Sequence, residues 1–403
     1  MVKVTMGFDM GFLSFLNSYQ NSFIFFKNFI CFALQNSYTY SSLKLDFRKE
    51  ERTREMFYLK YVLLEMTQEG QEGGCMPAAG EASWERSESW QVWISSLKEM
   101  GIQVLTRTMY LKNPTDVSRA EAVESEGSAW AETVELEAEG CGGQKKQACL
   151  WITDDAKRAW AYARKGLPVM GVLRERNSEL QSFDGVPFLV SELTEVEPEY
   201  LEKVYRRQAG IPWEIARTKR CVIRETIPRD AKAFYEIYKD PAVKEFMEDL
   251  PKDADAFEAW LEDYAKHVYS LLEYGIWTIC LKAEKDDKNM SDPMRKNADD
   301  SKDENVEDDL AVIGRAGLTV REGYDAPELG FVIGEPWRGQ GYALEACEAI
   351  LEYARGQELP EVIAFAEAGN TASVGLLRRL GFRETSEVIL DGRMCRMFQK
   401  FLS

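Results

Sequence analysis

The run from Leu329 to Ala354, LGFVIGEPWRGQGYALEACEAILEYA, admits few folds. Its first five residues are apolar and of strand length. From Ala343 the apolar positions Leu344, Cys347, Ile350, Leu351 and Ala354 recur at helical spacing. Arg338-Gly339-Gln340-Gly341-Tyr342 must therefore lie between a strand and a helix N-terminus. The glycines permit positive φ and let a ligand touch the backbone. The first-turn N–H groups and the helix dipole favour an anion. Two readings stand side by side: a plain connecting turn, or a cradle for phosphate.

The surroundings repeat the strand-to-helix alternation. EVIAFAE (361–367) predicts a strand that leads into GNTASVGLLRRLGF. Asn370 and Ser373 stand at the start of that helix. Leu376, Leu377 and Leu380 form its buried face, and Gly381-Phe382 ends it. Upstream, CVIRETI reads as a strand, 228–239 and 253–272 as helices, and GIWTICLKAE (275–284) as a strand. LAVIGRAGLTV, ELGFVIG and SEVILDGRMCRMFQKFL supply further strands. Residues 285–309 hold ten acidic and five basic side chains with almost no apolar content, so they read as a solvated excursion between strands.

Residues 219–403 resemble the GNAT N-acetyltransferase superfamily. That family carries R/Q-x-x-G-x-G/A between its fourth strand and third helix, and Arg338 to Ala343 fits every fixed position. It also carries N-x-x-A/S with an L-G-F that ends nine residues after the A/S, matched by Asn370, Ser373 and Leu380-Gly381-Phe382. The order of elements matches too. The N-x-x-S form and YALEA are most similar to the branch that acetylates protein N-terminal amines.

The resemblance implies a mixed α+β domain that uses acetyl-CoA as co-substrate, with no metal. The pyrophosphate would sit on the backbone of Arg338, Gly339, Gln340, Gly341, Tyr342 and Ala343. The pantetheine arm would run along Phe331, Val332 and Ile333. Asn370 would hold the pantetheine or a water, and a neutral amine would attack the acetyl carbonyl directly. Glu328, at the start of the fourth strand, is the leading candidate base, against a plain solvated carboxylate; Glu367 is the second choice. Many relatives carry a tyrosine seven residues after the asparagine, where this chain has Leu377. Ser373 or a water would then assist the leaving thiolate, or the thiolate, being weakly basic, would leave unaided. The alternative is a non-catalytic acyl-CoA-binding sensor.

The N-terminal half reads as a separate module. ACLWITDDAKRAWAYARKGLPVMGVL is strand, helix, strand with short turns, hence parallel strands. A preceding helix and strand (WQVWISSLKEMGIQVLTRTMYL), then PFLVSEL and EPEYLEKVYRRQ, extend it. Residues 56–215 are thus expected to form a Rossmann-like α/β accessory domain, with 67–88 as loop and 113–146 as a polar insertion. Asp154-Asp155 ends a strand, where such sheets place ligands. This half is similar to the haloacid-dehalogenase-like core, but Asp154-Asp155-Ala156-Lys157 departs from that family's D-x-D nucleophile motif. A helix N-cap and a live phosphohydrolase site both remain open for the pair.

Composition narrows the partners. The 403-residue chain carries a formal net charge of -18 and no basic block, which argues against nucleic acid. His267 is the single histidine, within a helical run, where it serves packing or surface more readily than catalysis. Eight scattered cysteines without C-x-x-C give no metal framework and fit a reducing cytoplasm. Residues 12–34 are apolar but interrupted by Asn, Ser, Gln and Lys, so no membrane span is expected there. Residues 1–55 differ in composition from the rest, and the natural start is expected downstream, at Met56 or Met66.

Overall fold

The computed structural model describes residues 58–69, 87–111, 120–122, 148–174, 181–247, 250, 254–282, 310–390 and 392–402. The leader 1–55, the acidic segment 285–309 and nearly all of 113–146 lie outside the described residues. The chain divides into two compact units, Met1–Ile211 and Pro212–Ser403.

The first unit is built on β1 (Tyr61–Glu69), α1 (Glu88–Glu99), β2 (Gln103–Leu111), β3 (Ala120–Ala122), β4 (Cys149–Thr153), α2 (Ala156–Arg164), β5 (Val169–Val172), β6 (Leu189–Val190) and α3 (Pro198–Ala209). The sheet order is β3-β2-β1-β4-β5-β6. Every pairing is parallel except β2 with β3. Trp93 and Leu97 of α1 and Leu201 and Val204 of α3 share one core with Leu64 and Ile152. Ala156 and Ala159 of α2 share another with Leu63 and Trp151. Adjacent residues of one strand thus feed opposite cores, so both sheet faces are covered. That is why these strands read as continuous apolar runs. The central strand β1 runs on through residues 67–69, where the loop was expected to have begun.

The second unit holds β7 (Glu214–Arg217), β8 (Cys221–Glu225), α4 (Ala231–Tyr238), α5 (Pro241–Lys244), α6 (Ala254–Tyr264), α7 (Ser270–Leu272) and β9 (Ile276–Leu281). It continues through β10 (Ala311–Thr319), β11 (Glu328–Ile333), α8 (Tyr342–Gly356), β12 (Glu361–Glu367), α9 (Thr371–Arg379), β13 (Arg383–Leu390) and β14 (Arg393–Phe401). A π-helical turn, Ala265–Tyr269, joins α6 to α7 and includes His267. The sheet order is β13-β14-β12-β11-β10-β9-β8-β7. β7 falls in the segment expected to be a mere join; it pairs antiparallel with β8 at the sheet edge.

A buried ion pair fixes the start of α4 to the sheet. Arg224 grips Asp230 with two hydrogen bonds of 2.7 and 2.8 Å. Thr278 and the Ile227 amide also donate to Asp230. Removing one partner of such a buried pair costs about 3–5 kcal/mol. The strands β9 and β10 approach so closely at Gly317 that a Cβ there would lie 2.0 Å from the Gly275 carbonyl oxygen.

Candidate active site

All strand pairings in the second sheet are antiparallel except β11 with β12. The parallel pair has a single rung, Glu328 opposite Ile363. Beyond that rung the two strands part, so Leu329 to Ile333 of β11 border an opening. The crossover between them carries α8, whose N-terminus follows the glycine loop.

Gly339 and Gly341 adopt φ of +73° and +84°. An added Cβ would be strained at either position whatever the space around it. Gly341 is the N-cap of α8 and has no side chain to satisfy the first-turn N–H groups. Residues 338–341 are exposed and Tyr342 to Glu345 are half-buried, so solvent reaches the loop that leads into the helix. This is the local chemistry of an anion site.

The side chains around the loop are tied to neighbouring elements. Arg338 does not point freely at the cradle: it pairs with Asp240 at 2.5 Å and donates to the Ile333 carbonyl at 2.9 Å. The Ala242 amide, together with Arg338, holds the Asp240 carboxyl below the usual carboxylate range. Arg220, which the sequence reading passed over, is the cation beside the loop. It donates to the Gln340 carbonyl at 2.9 Å and to Glu345 at 2.7 Å, and stacks 4.1 Å from the centre of the Tyr342 ring. Gln340 turns its amide back to the Pro336 carbonyl.

Asn370 is the N-cap of α9 and accepts from the Ser373 amide at 3.0 Å. Its Oδ1 is thereby engaged, and Ser373 enters the same turn through its backbone. Leu377 is 1 % exposed and belongs to the core. Asn370 also donates its own N–H to the Glu367 carbonyl, which places the end of β12 against the helix start.

One face of the opening is charged. Glu328 shares its side with Ile363, and strand alternation puts Phe365 and Glu367 on that side too. Cys395 of β14 pairs with Glu367 and joins them. The alternate residues Val362, Ala364 and Ala366 are buried. Glu328 forms an ion pair with Arg321, whose guanidinium lies 5.4 Å from the Phe365 ring centre. Tyr324 packs edge-on against Phe365 at 5.2 Å. Glu367 pairs with Arg393 at 2.7 Å, and Arg393 also donates to the Glu245 carbonyl just after α5. Burial first, then Glu367, pushes the Cys395 thiol up.

In the first unit, Asp155 N-caps α2, accepting from the Lys157 and Arg158 amides at 2.9 and 3.2 Å. Asp154 is fully buried with Arg174 at 3.4 Å. Nearby Glu65 takes the Tyr162 hydroxyl at 2.7 Å. The aspartate pair is thus spent on a cap and a buried ion pair. Among the described residues, nothing in this unit supports the haloacid-dehalogenase likeness. Among the described residues, no group of three or more His, Cys, Asp or Glu side chains could hold a metal ion. Among them too, no helix is long and apolar enough to cross a membrane.

Residues 220–383 match the Acetyltransferase (GNAT) domain family. The chain is 42% identical over 64 residues to the L-methionine sulfoximine/L-methionine sulfone acetyltransferase of Pseudomonas aeruginosa, across 16% of this chain and 34% of that protein. It is 36% identical over 93 residues to the [Ribosomal protein uS5]-alanine N-acetyltransferase of Escherichia coli, across 21% of this chain and 48% of that protein. The chain thus spans no more than about half the length of these curated relatives. The crystal structure of a GNAT-family acetyltransferase from Bacillus anthracis aligns with 46% of this chain and 97% of its own, at 16% identity and a TM-score of 0.35. With the parted parallel strands and the glycine loop in place, the family match over residues 220–383 supports one conclusion: the C-terminal half of this chain contains a GNAT acetyltransferase domain.

Proposed function

We propose that the protein is an acetyl-CoA-dependent N-acetyltransferase acting on a primary amine, with the N-terminal unit as a Rossmann-like accessory module. The observation that carries this reading is the single-rung β11–β12 pairing beside an uncapped helix N-terminus. The backbone amides of Gly339 to Ala343 would offer donors to a pyrophosphate. The edge of β11 from Leu329 to Ile333 offers backbone groups to the pantetheine amides. In this reading a neutral amine attacks the acetyl carbonyl, the C–N bond forms, and the C–S bond breaks to release CoA thiolate. The ammonium proton must leave to a base. Glu328 is nearest the vertex of the opening, and exchange of its Arg321 partner would free it. Glu367 is the second carboxylate on the same face. Asn370 would contribute its side-chain N–H groups, since its oxygen caps α9. With Leu377 in the core, that position supplies no hydroxyl for the leaving thiolate, and the low basicity of a thiolate makes one dispensable.

Isothermal titration of the full chain with acetyl-CoA tests the reading. The expected result is saturable binding that Gly341→Trp abolishes while far-ultraviolet circular dichroism is unchanged. Absence of binding, or binding indifferent to Gly341→Trp, would overturn it. Release of free thiol with an amine panel separates an enzyme from an acyl-CoA-binding sensor.

A further inference from the structure

The charged face of the β11–β12 opening has a composition that a simple amine site does not need. A site that reads only an ammonium group is served by carboxylates. Here each carboxylate is matched by a guanidinium, Glu328 by Arg321 and Glu367 by Arg393. Glu328 and Glu367 lie on one side of the β11–β12 pair, and Cys395, the partner of Glu367 on β14, lies on that side too.

The two pairs differ in exposure. The Arg321 and Glu328 side chains are 21% and 13% exposed, against 50% and 27% for Arg393 and Glu367. Exposed ion pairs contribute little and open readily. The Arg393 pair is the one a solute meets first. Arg393 is also held at the tip of the β13–β14 hairpin by the Glu245 carbonyl, so its guanidinium stays at the mouth when Glu367 lets go. Between the pairs lies an apolar floor, Phe365 with Tyr324 against it.

We infer that this face is the acceptor subsite and that it selects a zwitterion, a free α-amino acid, whose carboxylate takes Arg393 while its amine takes the place of the guanidiniums beside Glu367 and Glu328. The inference rests on the proposed acetyltransferase activity and names its acceptor class. The exchange conserves charge: two carboxylates and two guanidiniums before, the same four with an internally balanced ligand after. A guanidinium binds a carboxylate with two parallel N–H donors, which fixes the orientation of the acceptor as well as its charge. A polyamine brings a second cation to Arg393 and Arg321 and is disfavoured. A protein N-terminus brings no carboxylate next to its amine and loses the Arg393 contact.

The test compares the twenty common L-amino acids with their C-terminal amides, spermidine and a short neutral peptide as acceptors for the full chain, following free CoA thiol. The expected result is a kcat/KM at least tenfold higher for the preferred amino acid than for its amide, with spermidine and the peptide lower still. Arg393→Gln should erase that difference by raising KM for the acid and not for the amide, and Arg393→Lys should restore part of it. Acetyl-CoA affinity, measured on the same variants, reports whether the domain is intact. Equal rates for acid and amide, a preference for the peptide or spermidine, or an equal loss on both acceptors in Arg393→Gln would overturn the inference while leaving the acetyltransferase reading standing. Failure of the wild-type chain to bind acetyl-CoA would instead bring down both.

Discussion

Arg220 and Glu345 lock the strand β8 to the first turn of α8. The carboxylate takes the Arg220 guanidinium and backbone amide, each at 2.7 Å, and the Thr218 hydroxyl at the same distance. Arg220 also holds the Gln340 carbonyl. In a planar trans peptide the carbonyl and the following N–H point opposite ways. Holding the Gln340 oxygen on the Arg220 side therefore turns the Gly341 N–H to the other side. The arginine is thus a positioning residue for the cradle. Arg220→Met is expected to weaken acetyl-CoA binding about tenfold, roughly the worth of one charge-assisted hydrogen bond. Since the side chain is more than a third exposed, the stability loss should stay near 1 kcal/mol. Titration with acetyl-CoA and with a pantetheine fragment distinguishes the effects. Affinity for the fragment, which lacks the pyrophosphate, should not move.

Arg338 is expected to behave in the opposite way, although the sequence pattern singles it out. Its guanidinium is committed to Asp240 and to the Ile333 carbonyl. Arg338→Gln should change acetyl-CoA affinity by about twofold or less, within what exposed charges contribute. A tenfold loss, with Asp240→Asn unchanged, would show that the arginine leaves Asp240 to meet the phosphates.

The contrast between these arginines shows where the sequence was legible. The strand, glycine turn and helix from Leu329 to Ala354 are local, and their periodicity is readable because one face of each element is buried. The same holds for β12 and α9, where Asn370 is both cap and motif residue. Arg220 and Glu345 lie 125 residues apart, and no local pattern joins them. The salt bridges of Glu328 and Glu367 are likewise made by loop and hairpin residues whose partners only the fold selects. The central strand β1 escaped for another reason. YVLLEM lacks alternation because both sheet faces are buried, with Leu63 and Leu64 in different cores. β7 escaped because it is four residues long and follows a proline at the sheet edge.

Leu377 occupies a position where a tyrosine would be the simple way to supply a proton to the leaving thiolate. Restoring that residue type should not help. The side chain is 1 % exposed and lies on the buried side of α9 with Val374 and Leu380. A phenol there adds volume and a hydroxyl to a filled core, which costs about 1–3 kcal/mol. Leu377→Tyr is therefore expected to lower the melting temperature without raising kcat. An increase in kcat at unchanged stability would show that the position faces the reaction.

The buried thiols give the stability of the second unit a defined pH dependence. Burial is the largest cause in each case, and it pushes Cys221 and Cys280 up to about 11. Cys347 is raised further, again chiefly by burial. An unfolded chain exposes the same thiols, which then ionise at about 8.5. With the folded pKa above the unfolded one, the contribution to stability is fully present below about 8.5 and is lost as pH rises toward about 11. Stability measured by denaturant titration should therefore hold from neutral pH to about 8 and fall progressively above it. Cys280→Val, which removes one of these groups from a fully buried position, should make that fall shallower. Cys280 lies opposite Val222 across the β8–β9 pair, so a valine there keeps an apolar neighbour. An alkaline slope identical in wild type and Cys280→Val would show that the thiol at 280 does not carry its share of the linkage.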